Sequence, residues 1–349
     1  MTSAHRYAAD ALQAFCTRLF AAKGLPEADA RAVAACLVRS EMRGWRTHAL
    51  SRTASYVQMI DEGLFNPRPA ITHERRPGAL IVEADAAMGQ VAARDVLALG
   101  RAELAASASV LVSVRGVGHL GSLGLHALAA AEAGLFCLVG QHTPPLLALE
   151  GFTRGAIGNN PLAFACPVAG HDPLVFDMAA SQAARGHILL AAREGRPIPD
   201  GWAIGDDGAP TTDAKRALQG ALLPAGGAKG VGIAMLVQVL AASLAATAET
   251  AARPHPELRA TGGTAAVGAF FWFVDPGAFG GRAAFDESMG MWTSYYRESG
   301  PDGVARLPGA RGADLERVAR ASGLSLVDAT ERDLRSLGQR LGVAFPQPL

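Results

Sequence analysis

The sequence lacks an excess of charge of either sign. Its 349 residues carry 32 Lys+Arg and 32 Asp+Glu, so the formal net charge at neutral pH is zero. A protein that binds nucleic acid or anionic lipid through general electrostatics needs a basic surface, so we expect neither partner. Charged residues make up only 18% of the chain and hydrophobic residues 50%, a composition that builds a large core and excludes intrinsic disorder.

Cysteine is also scarce. The four cysteines, at positions 16, 36, 137 and 166, form no CxxC pair, which argues against a disulfide framework and a thiolate zinc site. The histidines show no HExxH or comparable ligand spacing, so we expect no catalytic metal. The first residues lack the basic and apolar stretches of a secretory signal. Together these features predict a reducing, cytoplasmic location.

Long hydrophobic runs are almost absent. Only residues 230–248 reach the length of about 18 residues at which a membrane-spanning helix is considered. This segment is mostly alanine and glycine, contains Gln238, Ser243 and Thr247, and has no aromatic anchors. We interpret it as a helix buried in the core of the protein, and we expect no membrane partner.

Short apolar runs alternate with helical patterns through the middle of the chain. Strands are predicted over residues 79–82, 110–114, 135–139, 162–166, 174–176 and 270–274. Helices are predicted over residues 90–106, 122–133, 181–193 and 229–248. Residues 196–213 and 249–263, rich in proline and glycine, are predicted to be an ordered loop and a surface excursion.

Both ends of the chain have the periodicity of amphipathic helices. Apolar residues recur at helical spacing in two N-terminal segments that meet near Gly24 and Pro26, and again around Leu334 and Leu337. Thr330 and Asp333 are spaced like a capping box. We therefore predict a helical domain of residues 1–75 and 305–349 beside an α/β region of residues 76–304.

The segment Gly116-Val-Gly118-His119-Leu-Gly121 matches the GxGxxG pattern of Rossmann domains, and it lies between a predicted strand and a predicted helix. However, the next strand ends in Gly-Gln-His-Thr, so the acidic residue expected about 20 positions later is missing. His119 would also place a bulky side chain where a pyrophosphate approaches. We favour a site histidine over a dinucleotide fingerprint.

A second glycine cluster lies at the start of the predicted apolar helix. Gly226, Gly227 and Lys229 combine backbone N–H groups at a helix N-terminus with a cation, which suits a phosphate or carboxylate. The pattern is not a Walker loop, because Ala228 precedes the lysine and Gly230 follows it. A glycine turn followed by a solvated lysine is the alternative.

His48 and Arg52 form the third pattern. A histidine exchanges protons near neutral pH, and a guanidinium four residues later can hold a carboxylate through two hydrogen bonds. Together they suit a small organic acid. From the spacing alone, an exposed polar turn between two helices stays open as the other interpretation.

These patterns, in this order, resemble a family of dehydrogenases over nearly the whole chain. The family is the malate/L-lactate dehydrogenases that are distinct from Rossmann enzymes, and it includes ureidoglycolate and sulfolactate dehydrogenases, diketogulonate reductase and piperideine/pyrroline-2-carboxylate reductases. The matching segments are residues 43–52, 118–121, 158–164, 176–181, 199–203, 211–213, 226–230 and 308–309.

The resemblance implies a chemistry and a set of site residues. In the family, a hydride passes between NAD(P)H and C2 of a 2-oxo acid, a 2-hydroxy acid or an imine, while a histidine transfers the proton. It thereby implies that His48 and His119 are the catalytic residues, one of them being the principal acid/base, and that Thr47, Arg52 and Asn160 bind the substrate. The alternative within this chemistry is a cyclic ketimine reductase. The alternative beyond it is a catalytically altered member that only binds a ligand.

The resemblance also implies where the nucleotide binds, without deciding between NADH and NADPH. The implied cofactor residues are His119, Thr143, Asp177, Met178, Ala179, Ser181, Gly227, Lys229, Pro308 and Gly309. The implied fold is a non-Rossmann mixed sheet that binds cofactor and substrate, plus the helical part from both termini. Members form homodimers with the active site near the subunit interface.

Three departures from the family pattern flank the implied site: Arg46, Ala49 and Asn159. We hypothesise that they alter the substrate pocket. An Arg46 side chain that faces the pocket would favour a dicarboxylate or another polyanionic acid, whereas a solvated Arg46 carries no information about the substrate.

Overall fold

The computed structural model describes residues 5–246, 267–301 and 305–349. Helices from both termini pack into one buried cluster, in which side chains such as Phe15 and Leu37 meet Leu334 and Leu337. These helices are Ala9–Ala22, Glu27–Met42, Thr53–Asp61, Ala310–Ser322 and Asp328–Leu341. The predicted capping box is wrong: the last helix begins at Asp328, and its N-cap residue, Val327, has no side chain that can cap it.

The centre of the molecule is a seven-stranded sheet with the order β1-β2-β3-β11-β4-β7-β8. Its strands are β1 (Thr72–Arg76), β2 (Ala79–Glu83), β3 (Ser109–Val117), β4 (Phe136–Gln141), β7 (Leu162–Cys166), β8 (Leu174–Met178) and β11 (Val267–Val274). The sheet is mixed because β2 and β3 are parallel and the other neighbours antiparallel. All six predicted strands are present, and the predicted fold class is confirmed.

Strand β1 is the strand that the apolar pattern misses. Its sequence is Thr-His-Glu-Arg-Arg and every residue is exposed, so hydrophobicity gives no signal. It pairs with β2 from Thr72 to Arg76 and thereby crosses the predicted domain boundary at residue 75. Its place in the sheet comes from backbone pairing alone.

A four-stranded sheet with the order β6-β5-β10-β9 lies beside the main one. Its strands are β5 (Pro145–Leu147), β6 (Ile157–Gly158), β9 (Ala203–Ile204) and β10 (Ala221–Leu222). Strands of two or three residues are too short to show alternation, which is why β9 lies inside the predicted loop 196–213. The helices Arg185–Glu194 and Ala214–Gln219 share a buried cluster with this sheet.

The remaining helices include Gly89–Glu103 and Leu123–Glu132, which were predicted, and Gly277–Gly280 and Arg282–Glu298, which were not. Helix Ala228–Gln238 continues as a π-helical turn, Val239–Ser243. The prediction of a helix buried in the core is wrong in part, because only one side packs, for example through Val237 and Ala241 against Phe270. Large apolar side chains on the other side, Met235 and Leu244 among them, are exposed.

No helix in the described ranges is long and apolar enough to cross a membrane. The predicted surface excursion over residues 249–263 lies outside the described residues.

Candidate active site

Two consecutive 3-10 turns, Arg46–His48 and Leu50–Arg52, connect the second N-terminal helix to the third. His48 ends the first turn and Arg52 ends the second. The His48 ring stacks on the ring of His119, with centroids 5.3 Å apart and an interplanar angle of 28°. The fold therefore brings together the two histidines that the sequence singled out.

The loop after β3 that carries His119 is held by side chains from three elements. Tyr56 Oη lies 2.7 Å from His119 Nδ1. Gln90 Nε2 donates to the carbonyl of Leu120 at 3.2 Å, and Gln141 accepts from the Leu120 N–H at 3.0 Å. Sequence reasoning missed these three supports. Of the three, only Tyr56 could have been identified from the sequence, because it follows Arg52 by four residues, about one helical turn.

Local structure explains why glycine occupies positions of the GxGxxG segment, without involving a nucleotide. A Cβ on Gly118 would lie 2.5 Å from the Phe65 ring, and Gly121 has a φ of +79°, which favours glycine. The interpretation of His119 as a site residue on a loop that only resembles a Rossmann turn agrees with this geometry.

Electrostatics keep both histidines neutral at neutral pH. Burial, and then the nearby Arg52 guanidinium, lower the pKa of His48 to about 4. Burial lowers the pKa of His119 well below its usual value, and His48 and Arg52 add to that effect. Each neutral imidazole therefore has one nitrogen lone pair that can accept a proton.

Arg52 is an exposed cation beside this pair. Its Nε donates to the Thr47 carbonyl at 2.7 Å, which orients the guanidinium. Within the described ranges, no Asp or Glu side chain forms an ion pair with it. The guanidinium nitrogens Nη1 and Nη2 therefore have the geometry and the charge to bind a carboxylate in a bidentate way.

Thr47 and Asn160 differ in what they contact. Thr47 Oγ1 lies 3.0 Å from His48 Nδ1 and so fixes the ring from one side. Asn160 is fully buried; its Oδ1 accepts from the Thr143 N–H at 2.9 Å and its Nδ2 donates to the Ala234 carbonyl at 2.9 Å. Asn160 thus joins the end of β4 to helix Ala228–Gln238, and its contact with substrate stays a prediction.

The surroundings of Arg46, Ala49 and Asn159, which depart from the family pattern, are local side-chain and backbone contacts. The Arg46 side chain is 54% exposed and its nearest acidic partner is Glu41, 3.8 Å away. Ala49 is buried with a φ of −112°, so the position does not need glycine. Asn159 Oδ1 accepts from Thr143 Oγ1 at 2.9 Å. This geometry fits the solvated alternative for Arg46.

A second corner combines the segment after β8 with the glycine cluster. Ser181 bridges to Pro224, and the Ala225 N–H donates to the Ala180 carbonyl at 2.9 Å. The buried Ser181 Oγ has no hydrogen-bond partner in the structure. Gly227, with a φ of +63°, directly precedes helix Ala228–Gln238, and the exposed Lys229 ammonium has no acidic partner among the described residues.

This corner fits an anionic group of a nucleotide. The first N–H groups of a helix are free donors, the helix dipole favours negative charge, and Lys229 supplies a cation. The unpartnered Ser181 hydroxyl adds another possible donor on the same corner. Gly226 and Gly227 leave the backbone open, since no atom lies within 4 Å of a Cβ built on Gly227.

Asp177 and the Pro308-Gly309 turn meet at β8. The Val175 N–H donates to the Pro308 carbonyl at 3.0 Å, and a Cβ on Gly309 would lie 2.9 Å from Val175 Cβ. Asp177 accepts from the Gly124 N–H at 2.7 Å, and burial raises its pKa to about 6. Met178 and Ala179, half-buried, continue the chain from Asp177 towards the second corner.

Among the described residues, no three His, Cys, Asp or Glu side chains are grouped so that they could hold a metal ion.

Comparison with known proteins adds to this geometry. Residues 7–335 match the model of the malate/L-lactate dehydrogenase family. The chain is 33% identical to a Δ1-pyrroline-2-carboxylate reductase of Ancylobacter novellus over 93% of its length and 95% of that protein. It is 32% identical to an NADP+-dependent (2R)-3-sulfolactate dehydrogenase of Chromohalobacter salexigens, covering 90% and 92% of the two chains.

A solved structure of a dehydrogenase also resembles this chain in its fold. The sulfolactate dehydrogenase of Methanocaldococcus jannaschii superposes with a TM-score of 0.85 at 25% identity, covering 99% of this chain and 98% of the other.

Proposed function

We propose that this chain transfers a hydride between NAD(P)H and C2 of a small 2-oxo or 2-hydroxy acid. The premise is that the chain belongs to the malate/L-lactate dehydrogenase family and is an NAD(P)-dependent oxidoreductase. One observation carries the proposal. A stacked pair of neutral histidines lies beside an arginine without an acidic partner in the described residues, which is what proton transfer next to a bound carboxylate requires.

The proposed roles follow from the contacts. Arg52 binds the substrate carboxylate, which places C2 near the imidazole pair. Thr47 Oγ1 occupies the Nδ1 side of His48, so Nε2 is the ring nitrogen that exchanges a proton with the substrate oxygen. Tyr56 holds His119 through Nδ1. When Arg52 is neutralised by the carboxylate, one of the two causes of the low His48 pKa is weakened, so binding favours protonation of His48.

The nucleotide, when bound, supplies or accepts the hydride. We propose that Lys229, Gly227 and Ser181 hold its phosphate groups, and that the implied residues Thr143, Asp177, Met178, Ala179, Pro308 and Gly309 line the rest of its path with His119. The Asp177 carboxylate accepts a hydrogen bond from the Gly124 N–H, and we propose that this contact is part of its role. The Pro308-Gly309 turn is fixed on β8 by the hydrogen bond from the Val175 N–H to the Pro308 carbonyl.

Cyclic ketimine reduction is the second candidate, and the low pKa of His48 favours it. A protonated cyclic imine brings its own proton, so reduction at C2 needs no protonated histidine. Two relatives, at 31% and 33% identity, are Δ1-pyrroline-2-carboxylate reductases.

One experiment tests both candidates. The purified protein is mixed with NADH or NADPH and a panel of 2-oxo acids and cyclic imino acids, and loss of nicotinamide absorbance is followed. Turnover with any 2-oxo acid supports the first candidate, and turnover with imines alone supports the second. Binding of NADH or NADPH without turnover across the panel contradicts both and favours a ligand-binding protein. Comparing the two nucleotides also determines the cofactor preference.

We propose that the protein forms a homodimer. Large apolar side chains are exposed on helix Arg282–Glu298, including Met291, Trp292 and Tyr295, and on helix Ala228–Gln238, and such patches mark interaction surfaces. Light scattering after size-exclusion chromatography should give twice the 36.0 kDa chain mass. A single chain mass at micromolar concentration contradicts the proposal.

We also propose a cytoplasmic location, supported by four cysteines that are all free thiols. Fractionation of the native host, probed with an antibody, tests it; recovery outside the cytoplasmic fraction contradicts it.

A further inference from the structure

A cavity of about 500 Å³ lies between helices Glu27–Met42, Gly89–Glu103 and Leu123–Glu132, close to the supports of the catalytic loop. We refer to it as the three-helix groove. Its walls are small apolar side chains, among them Ala32, Ala35, Ala93, Leu97 and Ala129. Its size falls within the range of about 300–1,000 Å³ that is typical of small-molecule sites. The proposed function makes no use of it.

One of the residues that line the groove has a buried polar atom without a partner. Gln90 lines the groove although it is only 2% exposed. Its Nε2 faces the carbonyl oxygens of His119 and Leu120, which can only accept, so the orientation of the amide is determined. Its Oε1 is buried and accepts no hydrogen bond in the structure. A buried acceptor without a donor is costly, and a ligand that supplies the donor removes that cost.

His126 provides a second acceptor in the same place. It is 9% exposed, it lines the groove, and its Nε2 lies 2.8 Å from the Leu120 carbonyl. Because a carbonyl only accepts, Nε2 carries the proton. Burial lowers the pKa of His126, so the ring is neutral and Nδ1 keeps a lone pair. Two residues that line the groove, Gln90 and His126, thus each carry an acceptor atom, and neither side chain is charged.

The mouth of the groove does not attract an anion. Arg31, Arg39 and Arg94 line it, and each already has an acidic partner, at 2.6 Å from Glu27, 2.5 Å from Glu132 and 2.8 Å from Asp29. The three positive charges are balanced by adjacent negative charges, so the mouth has no excess positive charge that would attract a carboxylate. The ligand must therefore be recognised through its apolar body and a hydrogen-bond donor.

We propose that the three-helix groove binds a small uncharged molecule with a ring-sized apolar body and one O–H or N–H donor, which is accepted by Gln90 Oε1. Gln90 and His126 both hold Leu120, next to His119. An occupant of the groove therefore acts on the two side chains that position the acid/base loop. Binding itself is independent of the proposed function, and only its effect on turnover rests on that function.

Phenol and toluene are the probes, because they have the same shape and differ in the donor. A purely apolar cavity prefers toluene by about tenfold, since burying a hydroxyl without a partner costs free energy. Calorimetry on the full chain should show that phenol binds at least as tightly as toluene. A tenfold preference for toluene, or no binding of either probe at millimolar concentration, overturns the proposal.

Two groove-filling variants locate the binding. Ala129→Leu and Ala32→Leu add bulk to different walls, and Ala98→Leu adds the same bulk on the exposed side of helix Gly89–Glu103. Phenol binding should weaken at least about tenfold in each filling variant and stay unchanged in the control. Unchanged binding in a filling variant that keeps the wild-type Tm overturns the groove as the site. Because the two substitutions lie on different helices, a misfolded variant leaves the other as the test.

The coupling to the catalytic loop has its own readout. In protein labelled with ¹⁵N-histidine, saturating phenol should shift the ring signals of His126 and His119, and it should change kcat in the wild type but not in Ala129→Leu. Unmoved ring signals at saturation overturn the coupling. If the chain showed no oxidoreductase activity, calorimetry and ring signals would still decide the groove, so the two failures are distinguishable.

Discussion

The two halves of the candidate site differ in whether hydrogen bonds within the protein hold the functional side chains. In the acid/base half, His48 contacts Thr47, His119 contacts Tyr56, and the loop around them is held by Gln90 and Gln141. In the nucleotide half, Ser181 Oγ is buried without a partner, and the Lys229 ammonium has no acidic partner in the part of the chain that the structure describes.

This difference indicates what each half is for. A proton is transferred only over a hydrogen-bond distance, so the donor must be oriented before the substrate arrives, and the protein supplies that orientation. An anionic cofactor brings its own acceptors, so the protein leaves donors open for it. Substitutions in the first half should therefore change turnover, and substitutions in the second should change nucleotide affinity.

The largest effect is expected for His48→Gln, which removes the proton-transfer group and keeps a polar side chain of similar size. The turnover of a 2-oxo acid should fall about 10²–10⁴-fold. NADH fluorescence titration should show unchanged nucleotide binding. His73→Gln, on the exposed strand β1, is the control and should keep full activity. Full turnover in His48→Gln would refute the proposed role.

The next effect concerns the carboxylate. Arg52→Ala removes the guanidinium that has no acidic partner among the described residues, and hydrogen bonds to charged groups contribute about 1.5–3 kcal/mol, so kcat/KM should fall about 10–100-fold. Arg46→Ala is the matched control. Because Arg46 is half-exposed, its loss should leave the ratio of activities on mono- and dicarboxylates unchanged. A changed ratio would place Arg46 in the substrate pocket after all.

A smaller effect is expected for Tyr56→Phe, which removes only the hydroxyl at 2.7 Å from His119 Nδ1. A neutral hydrogen bond contributes about 0.5–1.5 kcal/mol, so kcat should fall about 3–10-fold with KM nearly unchanged. If KM rose and kcat stayed constant, Tyr56 would act in binding rather than in positioning His119.

The smallest effect belongs to the nucleotide half. Lys229→Ala should weaken NADH or NADPH binding several-fold, because an exposed cation near a helix N-terminus adds only a modest, salt-screened attraction for an anion. The effect should shrink in high salt, and kcat at saturating nucleotide should stay the same. A loss of kcat with unchanged nucleotide Kd would contradict the division between the two halves. Lys215→Ala, on another exposed helix, serves as the control.

Much of the fold was predictable because buried strands and amphipathic helices leave periodic patterns. Strand β7 was predicted with its observed bounds, and β11 was predicted from the apolar run over its last five residues, 270–274. Strand β1 was not predictable, because its five exposed polar residues join the sheet through backbone hydrogen bonds that no side-chain pattern reveals. The exposed side of helix Ala228–Gln238 was missed for a related reason. Apolar residues on all sides of a helix predict burial, and the pattern does not show whether the same chain or another surface covers them.

For the site, the sequence identified groups by chemistry and could not identify their supports. His48 and His119 stand out as titratable residues in glycine-rich or polar turns, and the structure stacks their rings. Gln90 and Gln141 do not stand out, since a glutamine in a helix or at a strand end is common, and their role comes from tertiary contacts with Leu120. The neutral state of the histidines was also out of reach, because it depends on burial and on the position of Arg52.

The pH dependence of kcat/KM for reduction of a 2-oxo acid tests the central claim most directly, since this quantity reports the free enzyme. With the His48 pKa lowered to about 4, the protonated fraction of His48 falls as pH rises. The account predicts a decrease of about tenfold per pH unit between about pH 5.5 and 7.5, and a flat, low profile in His48→Gln. A wild-type profile that stays constant over this range would contradict it.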